Sequence, residues 1–226
     1  MDNPDNYSEL LPKIKAATGR SLMKFVVGSF LEIVDGKIHV RRNQEEETAM
    51  RNLCKLGNLY FTEMSICLEG DAILAATVMA CSGFETLLML ACLCYRDLVR
   101  TTRTWSRLSK KAKSHSFVQV LRSRQMTIET LIEIGEELGW FLTDIPDELV
   151  KNIDPQEMTA LLALIPHGTT AASIAPRFAK DYRNRLHPAV CLRDNLNVED
   201  AQELLMGNAF MTVALVCFAM QHGAES

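Results

Sequence analysis

Residues 72–95, AILAATVMACSGFETLLMLACLCY, are the strongest constraint on what this chain can become. The run is long enough to cross a bilayer as a helix. It is apolar on nearly every side, and such a helix must be surrounded, either by lipid or by other helices. Glu85 sits inside it, and a carboxylate in mid-membrane is costly. A second run, LLMGNAFMTVALVCFAM at 204–220, carries Asn208 with Gly207 and Ala209 beside it. The expectation is two central core helices that also serve a subunit interface, and no membrane partner. The N-terminal MDNPDNYSELL is acidic and polar, without the charged-then-apolar layout of a secretory signal, so a cytoplasmic location is expected.

Seven cysteines, an odd number, lie mostly in apolar helical stretches, and there is no CxxC. They read as reduced structural thiols, which also fits the cytoplasm. The contents of 48% hydrophobic and 23% charged residues are those of a globular chain. No Pro-rich or Gly/Ser-rich linker divides the 226 residues. The expected organisation is an N-terminal extension over 1–42 and one helical domain over 43–226.

In the extension, 7–18 predicts a short helix. FLEIVDGKIHVRR at 30–42 alternates around Asp35-Gly36, a type I′ hairpin signal. From 43 the pattern is helical. Glu45, Glu46 and Glu47 suit a helix N-terminus, and Met50, Leu53, Leu56, Leu59, Tyr60 and Met64 follow at helical spacing. Gly70-Asp71 predicts a break, with Asp71 able to cap the next helix, which should start at 72 and run to about 106. A further helix is expected over 115–139, closed at Gly139. DPQEMTALLALI at 154–165 fits a short helix with Pro155 at its first position. Two more helices are expected over 170–187, stopped by Pro188, and 198–221. The fold class expected is therefore all-α, a multi-helix bundle with a small N-terminal β-hairpin.

Charge is unevenly placed. Between Arg96 and Arg124 nine Lys/Arg face one acid, Asp97, so that segment is +8 within a chain of net −4. On a continuous helix Arg96, Arg100, Arg103 and Arg107 fall in a stripe about 60° wide. Such a stripe repels itself unless something anionic lies along it. Arginine suits phosphate well, which points to nucleic acid, with Trp105 placed to stack on a base. The alternative is pairing inside the protein or its subunits, with Glu133, Glu136 and Glu137 or with Glu45, Glu46 and Glu47.

The stretch KDYRNRLHP at 180–188 bears the densest chemistry. As a helix, Ile174, Phe178, Tyr182 and Leu186 form an apolar stripe. Arg183 and His187 lie about 40° apart on its flank, with Lys180 on the same side. A guanidinium forks onto two phosphate oxygens, and a histidine exchanges a proton near neutral pH. Together they can cleave RNA without a metal: His187 moves the proton of the 2′-hydroxyl or of the leaving 5′-oxygen, and Arg183 stabilises the phosphorane. The plainer reading is a cationic C-terminal helix end. His39, His115, His167 and His222 have no partner at metal-ligand spacing, so no metal site is expected. No P-loop or dinucleotide motif is present, and no cofactor is expected.

DYRNRLHP resembles the motif of the HEPN superfamily (higher eukaryotes and prokaryotes nucleotide-binding domain). LIEIGEELGW at 131–140 resembles a segment upstream of "RN..HP" in bacterial HEPN-like proteins, and the helix pair over 43–106 resembles the first half of that fold. The resemblance covers roughly 43–221 and is sharp only in "RN..HP". It implies a helical bundle, usually a homodimer whose two motifs share a cleft. It also implies metal-independent endoribonuclease activity or RNA binding in toxin–antitoxin, phage-defence or RNA-processing systems, with RNA and an antitoxin or defence protein as partners. Arg183, Asn184 and His187 would be the catalytic motif, with Asn184 orienting the other two. Lys180 and the four stripe arginines would bind nucleic acid. Three residues separate Arg183 from His187, against four to six in the nuclease pattern. A non-catalytic RNA-, nucleotide- or protein-binding module therefore stands beside the nuclease reading.

Overall fold

A computed structural model describes residues 43–70, 72–109 and 115–140. The expected extension over 1–42, with its hairpin, and the helices expected at 154–165, 170–187 and 198–221 lie outside these residues. Among the described residues all regular structure is helical and no strand occurs.

Helix α1, Gln44–Glu69, opens on Asn43, whose Oδ1 accepts the Glu46 backbone N–H at 2.9 Å. This is an N-cap by the residue just before the helix, two ahead of the acidic triplet. Its inner face buries Ala49, Met50, Phe61 and Met64. The chain then reverses: Gly70 N–H donates to Ile66 O and Ala72 N–H to Cys67 O. Helix α2, Ile73–Cys94, starts from Ala72, which makes no side-chain cap bond. Asp71, expected to cap this helix, lies outside the described residues.

Helices α1 and α2 form a closely packed hairpin. Gly83 meets the Phe61 ring so nearly that a Cβ built there would lie 2.7 Å from Cε1 and Cζ. Gly57 faces the Thr86 methyl. As the all-round apolar pattern requires, α2 is the centre of the core, with Ala76, Ala80, Phe84, Leu88, Leu90, Cys92 and Leu93 all buried. Two buried hydroxyls of this hairpin are satisfied within their own helix: Ser65 Oγ donates to Phe61 O and Thr86 Oγ1 to Ser82 O. The window Ala75–Cys94 is long and apolar enough to cross a membrane, and about two thirds of it is buried within the protein. Glu85 is half-buried.

The helix does not run on to 106. Tyr95 leaves helical geometry at φ −107°, ψ 33° and separates α2 from α3, Arg96–Val99, and a second break at Arg100–Thr102 separates α3 from α4, Arg103–Ser109. Threonines explain the second break. Thr101 Oγ1 and Thr102 Oγ1 each donate to the carbonyl three residues back at 2.7 Å, offering the backbone an alternative to the helix. Thr102 Oγ1 then accepts the Trp105 N–H at 3.2 Å and begins α4.

The expected 115–139 helix is likewise two. In α5, Phe117–Leu121, Ser116 and Gln119 form a reciprocal capping box. Met126 turns into the core, and Thr127, extended at φ −87°, ψ 165°, caps α6, Ile128–Glu137. Helix α6 ends as expected. Gly139 has φ 73°, its N–H donates to Glu136 O, and the Trp140 N–H reaches back to Gly135 O at 2.8 Å. That 6→1 and 5→2 pair is a Schellman motif, and its left-handed residue favours glycine. Leu131, Ile134 and Trp140 close the core.

Candidate nucleic-acid interface

The break at Thr101 and Thr102 divides the arginine stripe. Arg96 lies in α3, Arg100 at its C-cap, and Arg103 and Arg107 in α4. The four therefore do not share one continuous helical face.

Arg96 is held inward. Its Nη1 donates to both oxygens of Glu46 at 2.8 and 3.0 Å, and its Nε donates to Asp97 Oδ1 at 3.2 Å. Glu46 is 2% exposed and Arg96 27%. The bond to Glu46 raises the Arg96 pKa above its ordinary value against the opposing effect of burial. This pair ties the first turn of α1 to the chain just beyond α2.

Arg107 is also paired. Its Nη2 donates to Glu133 Oε2 at 2.7 Å and to Thr104 Oγ1 at 2.9 Å. Below it, Glu137 reaches from the end of α6 to the start of α4. Its carboxylate accepts the backbone N–H groups of Arg103 at 2.7 Å and Thr104 at 3.0 Å, and the Thr104 hydroxyl at 2.6 Å. The Thr104 hydroxyl bond, then the two backbone bonds and the nearby Arg103 charge, hold the Glu137 pKa below the usual carboxylate value despite some desolvation. Glu137 thus caps a helix that is not its own, a role the charge count did not reveal. The local cue is the i, i+4 pair Glu133 and Glu137 on one face of α6. Of the acids open to such pairing, the structure brings Glu46, Glu133 and Glu137 to the basic segment.

Arg100 and Arg103 remain outward. The Arg100 side chain is 50% exposed, its guanidinium lies 5.5 Å from the Phe117 ring centroid, and Asp97 stands 3.9 Å away. Arg103 is exposed, and its side chain makes no ion pair among the described residues. Trp105 cannot meet a base: it is 6% exposed and stacked on Phe117 at 4.4 Å. Within α4 Trp105 stands about 160° from both Arg103 and Arg107, on the face turned to the core.

Lys180, Arg183, Asn184 and His187 lie outside the described residues, as do His39, His167 and His222. His115 is exposed. Among the described residues no group of three or more His, Cys, Asp or Glu could hold a metal ion. Burial pushes the Cys92 thiol far up from its ordinary value, with the neighbouring Cys94 adding to the rise, which suits a structural thiol and not a nucleophile. No family model matches this chain, and no curated protein or solved structure matches it.

Proposed function

We propose that this chain is an HEPN-like, RNA-directed protein: a metal-independent endoribonuclease or RNA binder of a cytoplasmic toxin–antitoxin or phage-defence system. The observation that carries the proposal is the sequence motif Arg183-Asn184…His187-Pro188, with Ile174, Phe178, Tyr182 and Leu186 recurring every fourth residue before and within it. In this reading Arg183 holds the scissile phosphate, His187 transfers the proton and Asn184 orients both. The helical character of the described residues agrees with a helical bundle. Arg100 and Arg103, outward-facing on the basic segment, are the residues of the stripe left to follow the RNA backbone.

The test is incubation of the purified protein with mixed RNAs in EDTA, beside Arg183→Ala and His187→Ala. Cleavage should yield 2′,3′-cyclic phosphate and 5′-hydroxyl ends, since the attacking oxygen is the substrate's own. Either substitution should slow it ~10²–10⁴-fold, as loss of an acid–base group does. Cleavage that survives both substitutions, or that requires a divalent ion, defeats the assignment.

A second reading is a non-catalytic module that binds a partner protein or nucleotide. The specific observation in its favour is that Arg96 and Arg107 are spent on Glu46 and Glu133, together with the short spacing from Arg183 to His187. Absence of cleavage with every RNA offered selects it.

A further inference from the structure

Three of the large apolar side chains exposed among the described residues lie on α1: Leu56 at 38%, Leu59 at 52% and Ile66 at 47%. With Lys55 and Glu63, both exposed, they fall within an arc of about 100° on the side away from the core. Single exposed leucines need no explanation, but an apolar row along one helix face does.

The charges on this face have a polarity. Arg51 and Lys55 precede Leu59, and Glu63 follows it. Arg51 and Lys55 stand i, i+4 and repel each other, and among the described residues no ion pair involves Arg51, Lys55 or Glu63. Such a face complements itself when turned around. In an isologous two-fold contact each surface patch meets its own copy. An axis through Leu59 sets residues equally far before and after it opposite one another. Lys55 is four before and Glu63 four after.

We propose that the outer face of α1 is a self-association surface, on which a second copy of this chain packs its own α1 antiparallel about Leu59. Leu59 meets its counterpart at the axis. Each Lys55 meets Glu63 of the other copy. Leu56 and Ile66 extend the apolar seam to either side, and the aliphatic stems of Arg51 and Lys55 cover the facing isoleucine. The proposal does not rest on the RNA reading, and its test uses no RNA.

The experiment is the mass of the full chain by light scattering or sedimentation over a concentration series. Wild type should reach twice the 25.3 kDa chain mass. Lys55→Glu and Glu63→Lys alone each set like charges face to face twice, and each should raise the dimer midpoint concentration at least ~10-fold, a change of ~1.4 kcal/mol. Mixed in equal amounts, the two variants should recover the dimer, because one copy then carries only acids and the other only bases at the two positions. The double variant should recover it too. Leu59→Lys should give a monomer with an unchanged far-UV dichroism spectrum. A wild type that stays monomeric, a Leu59→Lys variant that dimerises as wild type does, or single variants that mixing fails to rescue would each overturn the proposal.

Discussion

Gly83→Ala tests how closely α1 and α2 are seated. In an unobstructed helix interior this change stabilises by ~1 kcal/mol, because alanine is the better helix former. Here the added Cβ would stand 2.7 Å from Phe61 Cε1 and Cζ and 3.2 Å from Cδ1. Carbon atoms in ordinary contact sit ~3.5–4.0 Å apart, so the ring must withdraw by most of an ångström. Phe61 is 2% exposed and enclosed by the core. Overpacking of that kind costs ~1–3 kcal/mol. Set against the propensity gain, the variant should lose about 1 kcal/mol, or ~2–4 °C in melting temperature for a chain of this size. The assay is urea unfolding followed by far-UV dichroism. Phe61→Leu removes the obstructing ring atoms, so in that background Gly83→Ala should turn neutral or stabilising. The double-mutant cycle then reports a coupling of ~1–2 kcal/mol. Gly83→Ala that stabilises the otherwise wild-type chain by ~1 kcal/mol would refute the close approach.

Other perturbations follow from the polar contacts. Arg96→Met leaves the Glu46 carboxylate buried and unpaired, and should cost ~2–4 kcal/mol in the same unfolding assay, whereas Arg96→Met with Glu46→Leu should recover most of it. The depressed Glu137 pKa contributes stability that is present above the unfolded-state value and is lost as pH falls through the folded one. Glu137→Gln should accordingly flatten the acid side of the stability–pH profile, and an unchanged profile would remove Glu137 from the account. Reversal of charge at Arg100 and Arg103 should weaken RNA binding and lessen its salt dependence, read by fluorescence anisotropy at several salt concentrations. The same reversal at Arg107 should act first on stability, through Glu133.

The long helices were legible because their signals are local and redundant. The 3.6-residue spacing of Met50, Leu53, Tyr60 and Met64 and the long, largely apolar run after 72 point to helix, and Gly139 marks the end of α6 by the backbone angle that favours glycine. The interruptions were harder to see. No proline or glycine announces the turn at Tyr95, and the threonine hydroxyls that divert the backbone are also compatible with a helix until Thr102 finds Val99 O and Trp105 N–H. The same holds at Met126, which leaves the helix to reach the core. The basic segment was plain as a charge count, yet charge says nothing about orientation. Which arginines are paired depends on where Glu46 and Glu133 arrive from elsewhere in the chain. The expected motif around Arg183 and His187 rests on side-chain types and spacing, and it lies outside the described residues.

The reach of Glu137 to α4 has a consequence for how this part of the molecule opens. A seven-residue helix such as Arg103–Ser109 cannot persist alone, because nucleation costs more than so few bonds return. Two of its leading amides, those of Arg103 and Thr104, donate to a carboxylate more than thirty positions further along the chain. Those amides can be shielded from solvent exchange only while α6 is docked. Their hydrogen–deuterium exchange should rise and fall with that of Leu131 and Ile134, as members of one cooperative unit, even though neighbouring Val99 belongs to the segment anchored by Glu46. During folding the same linkage orders events: the short basic helix assembles only after the later acidic one has formed and found its place.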